Sequence, residues 1–221
     1  MLAPQQLWQQ PPYTIPMPRR KKTNPEIEIK LHISNIPEIL CKIKKLRTVP
    51  QPRLREQNTL YDTPQAHLRR RNMLLRLRVE TPAPQNVPAT SRRERVILTS
   101  KAPSPSQLKT SRYKIRAERE QAALASSRRY AKSLIALGFR PTFRYDKFRT
   151  TFRLPKLHLD LDETPAGTYL ELEGQPKAID RAAKALGFTK KDYLRATYWD
   201  LYVADCRRRG AKPKNMLFTA K

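Results

Sequence analysis

The sequence predicts an α+β protein built on a closed, eight-stranded antiparallel β-barrel with helices packed outside. Two observations carry this. First, charged and apolar residues alternate with period two, starting at Glu26-Ile27-Glu28-Ile29-Lys30. That spacing puts Glu26, Glu28 and Lys30 on one face of a strand and Ile27, Ile29 and Leu31 on the other. Second, the alternation recurs at Arg76–Glu80, Arg112–Glu120, Lys147–Arg149, His158–Asp162 and Glu171–Glu173. One strand with a wet charged face is ordinary. Many of them, each with a charged face and a mostly apolar one, are most simply closed into a barrel with a polar lumen and a helix-covered exterior.

Taken in order, the chain begins with a segment unlike the rest. Residues 1–22 hold Gln, Pro and a lone Trp8 without periodicity, then the run Arg19-Arg20-Lys21-Lys22. Disorder is expected there. No apolar stretch precedes a cleavage site, so it does not read as a secretory signal. Met17, just ahead of the basic run, is a second candidate start. The barrel domain is expected over 23–206, followed by a loose basic tail over 207–221.

The first strand runs from Glu26 to about Ile33. Asn35 can cap the next helix, with Pro37 in its first turn and Ile36, Ile39, Leu40 and Ile43 on one face. Gln57–Asp62 reads as a short strand ending at Thr63-Pro64, and Met73–Glu80 as an arginine-rich strand. Three prolines make Thr81–Ser91 a loop. Arg93–Lys101 alternates again, Pro103–Ser106 marks a loop, and the Arg112–Glu120 strand follows. Gln121–Leu137 reads as a helix with Tyr130, Ala131, Leu134 and Ile135 in a stripe and Gly138 as its stop. Thr142–Leu154 is a strand. Lys156–Glu163, a turn at Pro165-Ala166-Gly167, and Thr168–Gly174 form a hairpin. Pro176 starts a helix that buries Ile179, Ala182, Ala183 and Leu186 and ends at Gly187. Thr189 and Asp192 read as a capping box for the last helix, with Leu194, Tyr198 and Leu201 on one face. The expected total is eight strands and four helices.

Across 221 residues, 46 Lys and Arg stand against 19 Asp and Glu, a formal net charge of +27. Such a chain suits polyanions: nucleic acid, phosphorylated small molecules or anionic lipid. No run of 18 apolar residues indicates a membrane span. Cys41 and Cys206 are far apart and form no CxxC pair, so a reducing cytoplasm is the expected location. A Ser or Cys nucleophile motif is absent. So is a Gly-rich phosphate loop, in a chain with only five glycines. Phosphate would therefore be held by side chains.

The lumen faces carry the chemistry. Acids dominate the first strand (Glu26, Glu28) and the last (Glu171, Glu173), and closing the barrel can make those strands neighbours. Clustered carboxylates repel, and their pKa values rise unless a cation neutralises them. Oxygen-only ligands favour Mg²⁺ or Mn²⁺. Between those strands lie Arg76, Arg78, Lys101, Arg116, Lys147 and Arg149. Arginine forks match phosphate oxygens and lysines add point charge. An acid cluster facing a basic wall suits a polyphosphate that chelates a divalent ion. His158 shares this face; His32 and His67 carry no partner pattern.

These residues resemble the CYTH domain family, the class IV adenylate cyclase and thiamine triphosphatase group of triphosphate tunnel metalloenzymes. Glu26-x-Glu28-x-Lys30 resembles the family's ExExK signature. Tyr61-Asp62-Thr63, Leu74-x-Arg76-x-Arg78, Thr99-x-Lys101, Arg116-x-Glu118-x-Glu120, Lys147-x-Arg149, and Asp162 followed by Gly167 and Glu171-x-Glu173 continue the match in order, over about residues 24–205. The resemblance implies an eight-stranded tunnel that binds a triphosphate. It implies Mg²⁺ or Mn²⁺ held by Glu26, Glu28, Asp162, Glu171 and Glu173, and substrate bound by Arg76, Arg78, Lys101, Arg116, Lys147 and Arg149. Lys30 and Glu118 are the candidate catalytic residues, Glu118 either orienting arginines or adding a metal ligand. Two departures bear on loop geometry: Asn72 replaces a common turn glycine, and Ala102-Pro103 replaces Gly-Pro.

Two functions follow as expectations. One is a metal-dependent enzyme on ATP, inorganic triphosphate or thiamine triphosphate, by hydrolysis or by class IV cyclisation of ATP. The other is a non-catalytic binder of nucleic acid or polyphosphate through Arg69-Arg70-Arg71, Arg92-Arg93, Arg128-Arg129 and Arg207-Arg208-Arg209. Those clusters lack interleaved aromatics, so base stacking is not suggested.

Overall fold

The computed structural model describes residues 25–83, 94–105, 107, 111–122 and 125–218. In chain order the elements are β1 (Glu26–Ile33), α1 (Ile36–Lys45), β2 (Val49–Pro50), β3 (Leu54–Asp62), α2 (His67–Arg70), β4 (Leu74–Pro82), β5 (Arg95–Pro103), β6 (Lys114–Ala122), α3 (Ser127–Ala136), β7 (Arg140–Leu154), β8 (Leu157–Thr164), β9 (Gly167–Gly174), α4 (Pro176–Ala185) and α5 (Tyr198–Arg208). Eight strands pair in the order β7-β3-β4-β5-β6-β1-β9-β8, and β8 returns to β7 to close the barrel. Every pairing around the barrel is antiparallel. Closure makes β1 and β9 neighbours, so the acids of the first and last strands share one wall.

Period-two alternation sorts each strand's side chains. The odd positions of β1, Ile29, Leu31 and Ile33, leave the lumen and pack with Leu159, Leu161, Leu170 and Leu172 under α1 and α4, which contribute Ile39, Ile43, Ile179, Ala182 and Ala183. On another side, Leu134 of α3 covers Tyr61, Leu77 and Val96. Asn35 caps α1 by accepting from the Glu38 backbone N–H at 3.1 Å. Gly167 takes φ +128° in the β8–β9 turn, a conformation that L side chains rarely adopt.

The structure differs from the sequence reading in several places. A ninth strand, β2, adds two residues on the outside of β7. A short helix, α2, fills the β3–β4 connection. Gln121 and Ala122 continue β6, because Leu98 and Ile97 of β5 need partners there, so α3 begins only at Ser127. Thr189 and Asp192 do form a capping box, but over a three-residue 3₁₀ turn. Leu194 then exchanges backbone hydrogen bonds of 2.9 Å with Lys30, which holds the chain extended. The last helix, α5, has its own box from Thr197 and Asp200. Residues 1–22, most of the Thr81–Ser91 loop and the Arg92-Arg93 pair lie outside the described residues.

The basic tail is docked rather than loose as far as Phe218. Met216 is 1% exposed and packs with Phe143, Tyr145, Tyr169, Tyr198, Tyr202 and Cys206. Its backbone pairs with Arg144 and Asp146 of β7. Met216→Ala is expected to cost about 2–5 kcal/mol, the range for truncating a buried side chain that leaves a cavity. Urea denaturation checks this; a midpoint equal to that of wild type would mean the tail contributes no packing.

Candidate active site

The barrel lumen holds a cavity of about 340 Å³. Its size falls within the range of about 300–1,000 Å³ usual for small-molecule sites. All the candidate residues except Asp162 line it.

One wall is acidic. Register places Glu28 opposite Glu173 and Lys30 opposite Glu171. Lys101 reaches across from β5 to Glu26 at 2.6 and 2.8 Å and stands 3.2 Å from Glu118. Burial, then the charge of Glu26, push Glu173 up to about 8 despite Lys101. Burial likewise raises Glu118, Lys101 opposes it, and Glu26 and Glu120 add to the rise, leaving it near about 7. Burial and the neighbouring carboxylates thus favour the protonated forms of Glu173 and Glu118.

Lys30 lies at the joint between the walls. It is 2% exposed and bridges Glu28 and Glu171 at 3.0 Å each. Burial opposes its charge, but Glu171 and Glu28 outweigh burial and hold its pKa above the ordinary lysine value. Lys30 is thus a fixed cation and not a proton acceptor. Glu28 also takes Lys114 at 2.7 Å. For Lys114, burial and the neighbouring Lys30 outweigh that contact and lower its pKa.

The other wall is basic and braced from behind. Arg76 contacts Thr99 Oγ1 at 3.2 Å, Glu120 at 3.3 Å and the Tyr145 hydroxyl at 3.4 Å. Arg78 contacts Asn58 at 3.3 Å, Glu80 at 3.3 Å and Glu56 at 3.4 Å. Lys147 lies 2.8 Å from Asp162 and 3.3 Å from Glu56. Arg149 spans Asp160, Asp162 and Glu171. Two buried guanidinium donors in the cavity lining, Arg76 Nε and Arg116 Nε, have no hydrogen-bond partner. Buried donors are ordinarily satisfied, and these two are exceptions on residues that line the cavity.

Asp162 lies behind this wall, 0% exposed. Its oxygens accept from Lys147, Arg149 and the Tyr198 hydroxyl. Tyr198 comes from the first turn of α5, which reaches the lumen, and its ring lies under the ammonium groups of Lys30 and Lys147 at 5.4 and 5.0 Å. Glu171 is likewise engaged by Lys30 and Arg149.

This arrangement accompanies a match to the CYTH domain over residues 24–198. The chain belongs to the CYTH domain family. Among solved structures it is similar to a Vibrio parahaemolyticus protein provisionally named an adenylate cyclase, with TM-score 0.66 and 19% identity over 81% of this chain and 98% of the other. A Pyrococcus horikoshii protein matches with TM-score 0.65 and 21% identity, over 81% and 98%. A Hippeastrum protein, provisionally named an adenylyl cyclase and described as having a dominant triphosphatase activity, matches with TM-score 0.52 and 18% identity over 85% and 97%. At these identities the likeness establishes the shared fold. No curated protein matches the sequence significantly.

Sequence reasoning missed four groups of this CYTH site. Lys114 belongs to the same alternating run as Arg116 and Glu118, so its phase was a usable signal. Glu56 fell just outside a strand read as starting at Gln57. Tyr145 sits two residues before Lys147, in phase with it. Tyr198 left no local signal, since its place in the lumen depends on how α5 docks.

Among the described residues no three His, Cys, Asp or Glu side chains converge into a ready-made metal cage. Mg²⁺ is commonly held by one or two carboxylates plus substrate phosphates rather than by such a cage. The donors here are all oxygen, and a lysine ammonium already occupies the gap between Glu26 and Glu118. The residues present therefore fit a hard divalent cation arriving with a phosphate. No helix among the described residues is long and apolar enough to cross a membrane.

Proposed function

We propose that this CYTH domain is a divalent-metal-dependent enzyme that hydrolyses a triphosphate. The carrying observation is the make-up of the lumen: Glu26, Glu28, Glu118 and Glu173 line the same cavity as Arg76, Arg78, Arg116 and Lys147. The activity described for the Hippeastrum relative supports the same reading. A class IV cyclase would use the same walls on ATP, and the name carried by the Vibrio relative keeps it as the second reading.

In this reading Arg76, Arg78, Arg116, Lys101 and Lys147 grip phosphate oxygens, with Arg149 anchoring the wall. Glu26, Glu28 and Glu173 are the carboxylates that would hold Mg²⁺ or Mn²⁺. The ion supplies Lewis-acid neutralisation of phosphate charge. Glu118, pushed up to about 7, is suited to accept a proton from the attacking water near neutral pH. Lys30 keeps Glu28 and Glu171 in place. Asp162, fully buried and outside the cavity lining, orients Lys147 and Arg149 instead of binding metal, while Glu171 is held between Lys30 and Arg149 as Glu28 is between Lys30 and Lys114.

Product analysis tests the proposal. The protein is incubated with ATP, inorganic triphosphate or thiamine triphosphate, with Mg²⁺ or Mn²⁺ and with EDTA. Orthophosphate release that disappears in EDTA is expected. Cyclic AMP with pyrophosphate would move the assignment to the cyclase. Nucleic-acid retention without any turnover would move it to a binder acting through the exposed arginines Arg69–Arg71 and Arg207–Arg209.

A further inference from the structure

Resting on the triphosphate reading, we propose that the C-terminal segment 214–218 supports the active site, with Met216 a positioning residue that sets Arg76 and Lys147 through Tyr145 and Tyr198. The segment sits where the barrel leaves a strand edge uncovered. β8 pairs with β7 only from Phe148 onward. The stretch from Arg144 to Lys147 therefore has β3 on one side and, among the described residues, no barrel strand on the other. The tail takes that side. The Arg144 N–H donates to Asn215 Oδ1 at 2.9 Å. The Met216 N–H donates to the Arg144 carbonyl at 2.9 Å, and the Asp146 N–H donates to the Met216 carbonyl at 2.9 Å. The Tyr202 hydroxyl of α5 donates to the Asn215 carbonyl at 3.1 Å, which ties the tail to that helix as well. Tyr145 and Lys147 thus lie on a stretch of β7 whose second edge is held by the tail.

The side chain carries the consequence inward. Met216 is buried in the aromatic cluster that includes Tyr145 and Tyr198. Those two rings stack on each other at 5.8 Å and 29°. Each ends on the basic wall. The Tyr145 hydroxyl accepts from Arg76 at 3.4 Å. The Tyr198 hydroxyl donates to Asp162, which also accepts from Lys147 at 2.8 Å. The Lys147 ammonium lies 5.0 Å from the centre of the Tyr198 ring. A close-packed interior holds its side chains in single positions, and a void beside them gives that up. Truncating Met216 therefore frees both rings to tilt, and the cations at their ends move with them. Phosphate binding is sensitive to such movement, since a misplacement of about 1 Å can cost about 100-fold in rate.

The test compares wild type with Met216→Ala, Met216→Leu and Asn215→Ala. Leu134→Ala, in the separate core under α3, is the control for lost stability. For ATP and inorganic triphosphate, kcat and KM are measured beside a calorimetric Kd, with the folded fraction of each variant taken from urea denaturation. A merely structural role lowers the amount of active protein, so apparent kcat falls while KM and Kd stay put. Met216→Ala should instead raise KM and Kd by at least about fivefold, well inside the scale that misplacement can reach. Met216→Leu, close in volume, should stay within about twofold of wild type. Asn215→Ala removes only the bond to Arg144 and should raise both constants about twofold or more, the scale of one hydrogen bond. It decides the question if Met216→Ala does not fold. Leu134→Ala should lose stability with KM and Kd unchanged. Wild-type KM and Kd in the deciding variant would overturn the positioning role and leave the enzyme reading standing. So would an equal rise in Leu134→Ala, or a Met216→Leu as impaired as Met216→Ala. Binding without turnover by wild type would overturn the enzyme reading alone, with the positioning role then upheld or lost on Kd. Neither binding nor turnover by wild type would overturn both.

Discussion

Glu26→Gln is expected to lower triphosphate turnover by at least a factor of about 100, with the fold unchanged. The argument starts from charge. Glu26 faces the lumen and is one of the acids that raise Glu173 and Glu118. Gln keeps the shape of the side chain and removes its charge, so an ion held by this wall loses a ligand. Groups that merely orient metal ligands typically cost about 10–100-fold in metal affinity or activity when removed, so loss of a direct carboxylate should exceed that range. The fold should tolerate the change, because Lys101 keeps Glu118 at 3.2 Å as a second partner. The measurement is steady-state kinetics across a Mg²⁺ and Mn²⁺ titration, with circular dichroism as the folding control. Recovery at high metal concentration would fit weakened binding of the ion. Wild-type rates at all metal concentrations, or full wild-type activity in EDTA, would remove Glu26 and the metal from the mechanism.

The strand phases were legible in the sequence because the two faces of each barrel strand differ so sharply. Glu26 and Glu28 alternate with Ile27 and Ile29, and a one-residue slip would put carboxylates into the helix-covered core. The caps of α1 and the stops after α3 and α4 were legible for local reasons of the same kind. Boundaries that depend on distant partners were not. Gln121 and Ala122 carry no breaker, and only their pairing with β5 keeps them extended. Leu194 looked helical until its bridge to Lys30 was visible. The site shows the same division. Phase alone put Asp162 and Glu171 on the lumen side. It did not reveal that Lys147, Arg149 and Tyr198 converge on Asp162, because that depends on the β7–β8 register, which sets Arg149 opposite Asp162, and on the docking of α5. Tyr198 was legible only as one residue of a helix stripe, whereas the fold makes it the brace under two lysines.

Glu56→Gln should destabilise the protein by about 3–5 kcal/mol, the cost of breaking a buried ion pair from one side. Glu56 is 1% exposed and sits at the centre of the basic wall, 3.3 Å from Lys147, 3.4 Å from Arg78 and 3.6 Å from Arg149. Removing its charge leaves three crowded cations with less compensation around a carboxylate that is itself buried. The pH dependence provides a second reading of the same effect. Burial opposes ionisation of Glu56, but Arg78, Lys147 and Arg149 outweigh it and hold its folded pKa below the usual carboxylate range. A carboxylate depressed in the folded state contributes fully above its unfolded pKa, near about 4.3, and loses that contribution as pH falls through the folded value. The deficit of the Gln variant should therefore be largest near neutrality and shrink under acid conditions. Urea titrations at two pH values check it, with an unchanged slope showing that stability and not compactness has moved. A deficit under about 0.5 kcal/mol at neutral pH, the range of ordinary surface substitutions, would mean that Glu56 does not hold the wall together. Inorganic triphosphate adds an independent check, because its oxygens can supply the missing negative charge. Its stabilising effect, which grows with the ratio of ligand concentration to Kd, should be larger in the variant than in wild type if the freed cations face the lumen. An equal effect would place them behind the phosphate site, as supports alone.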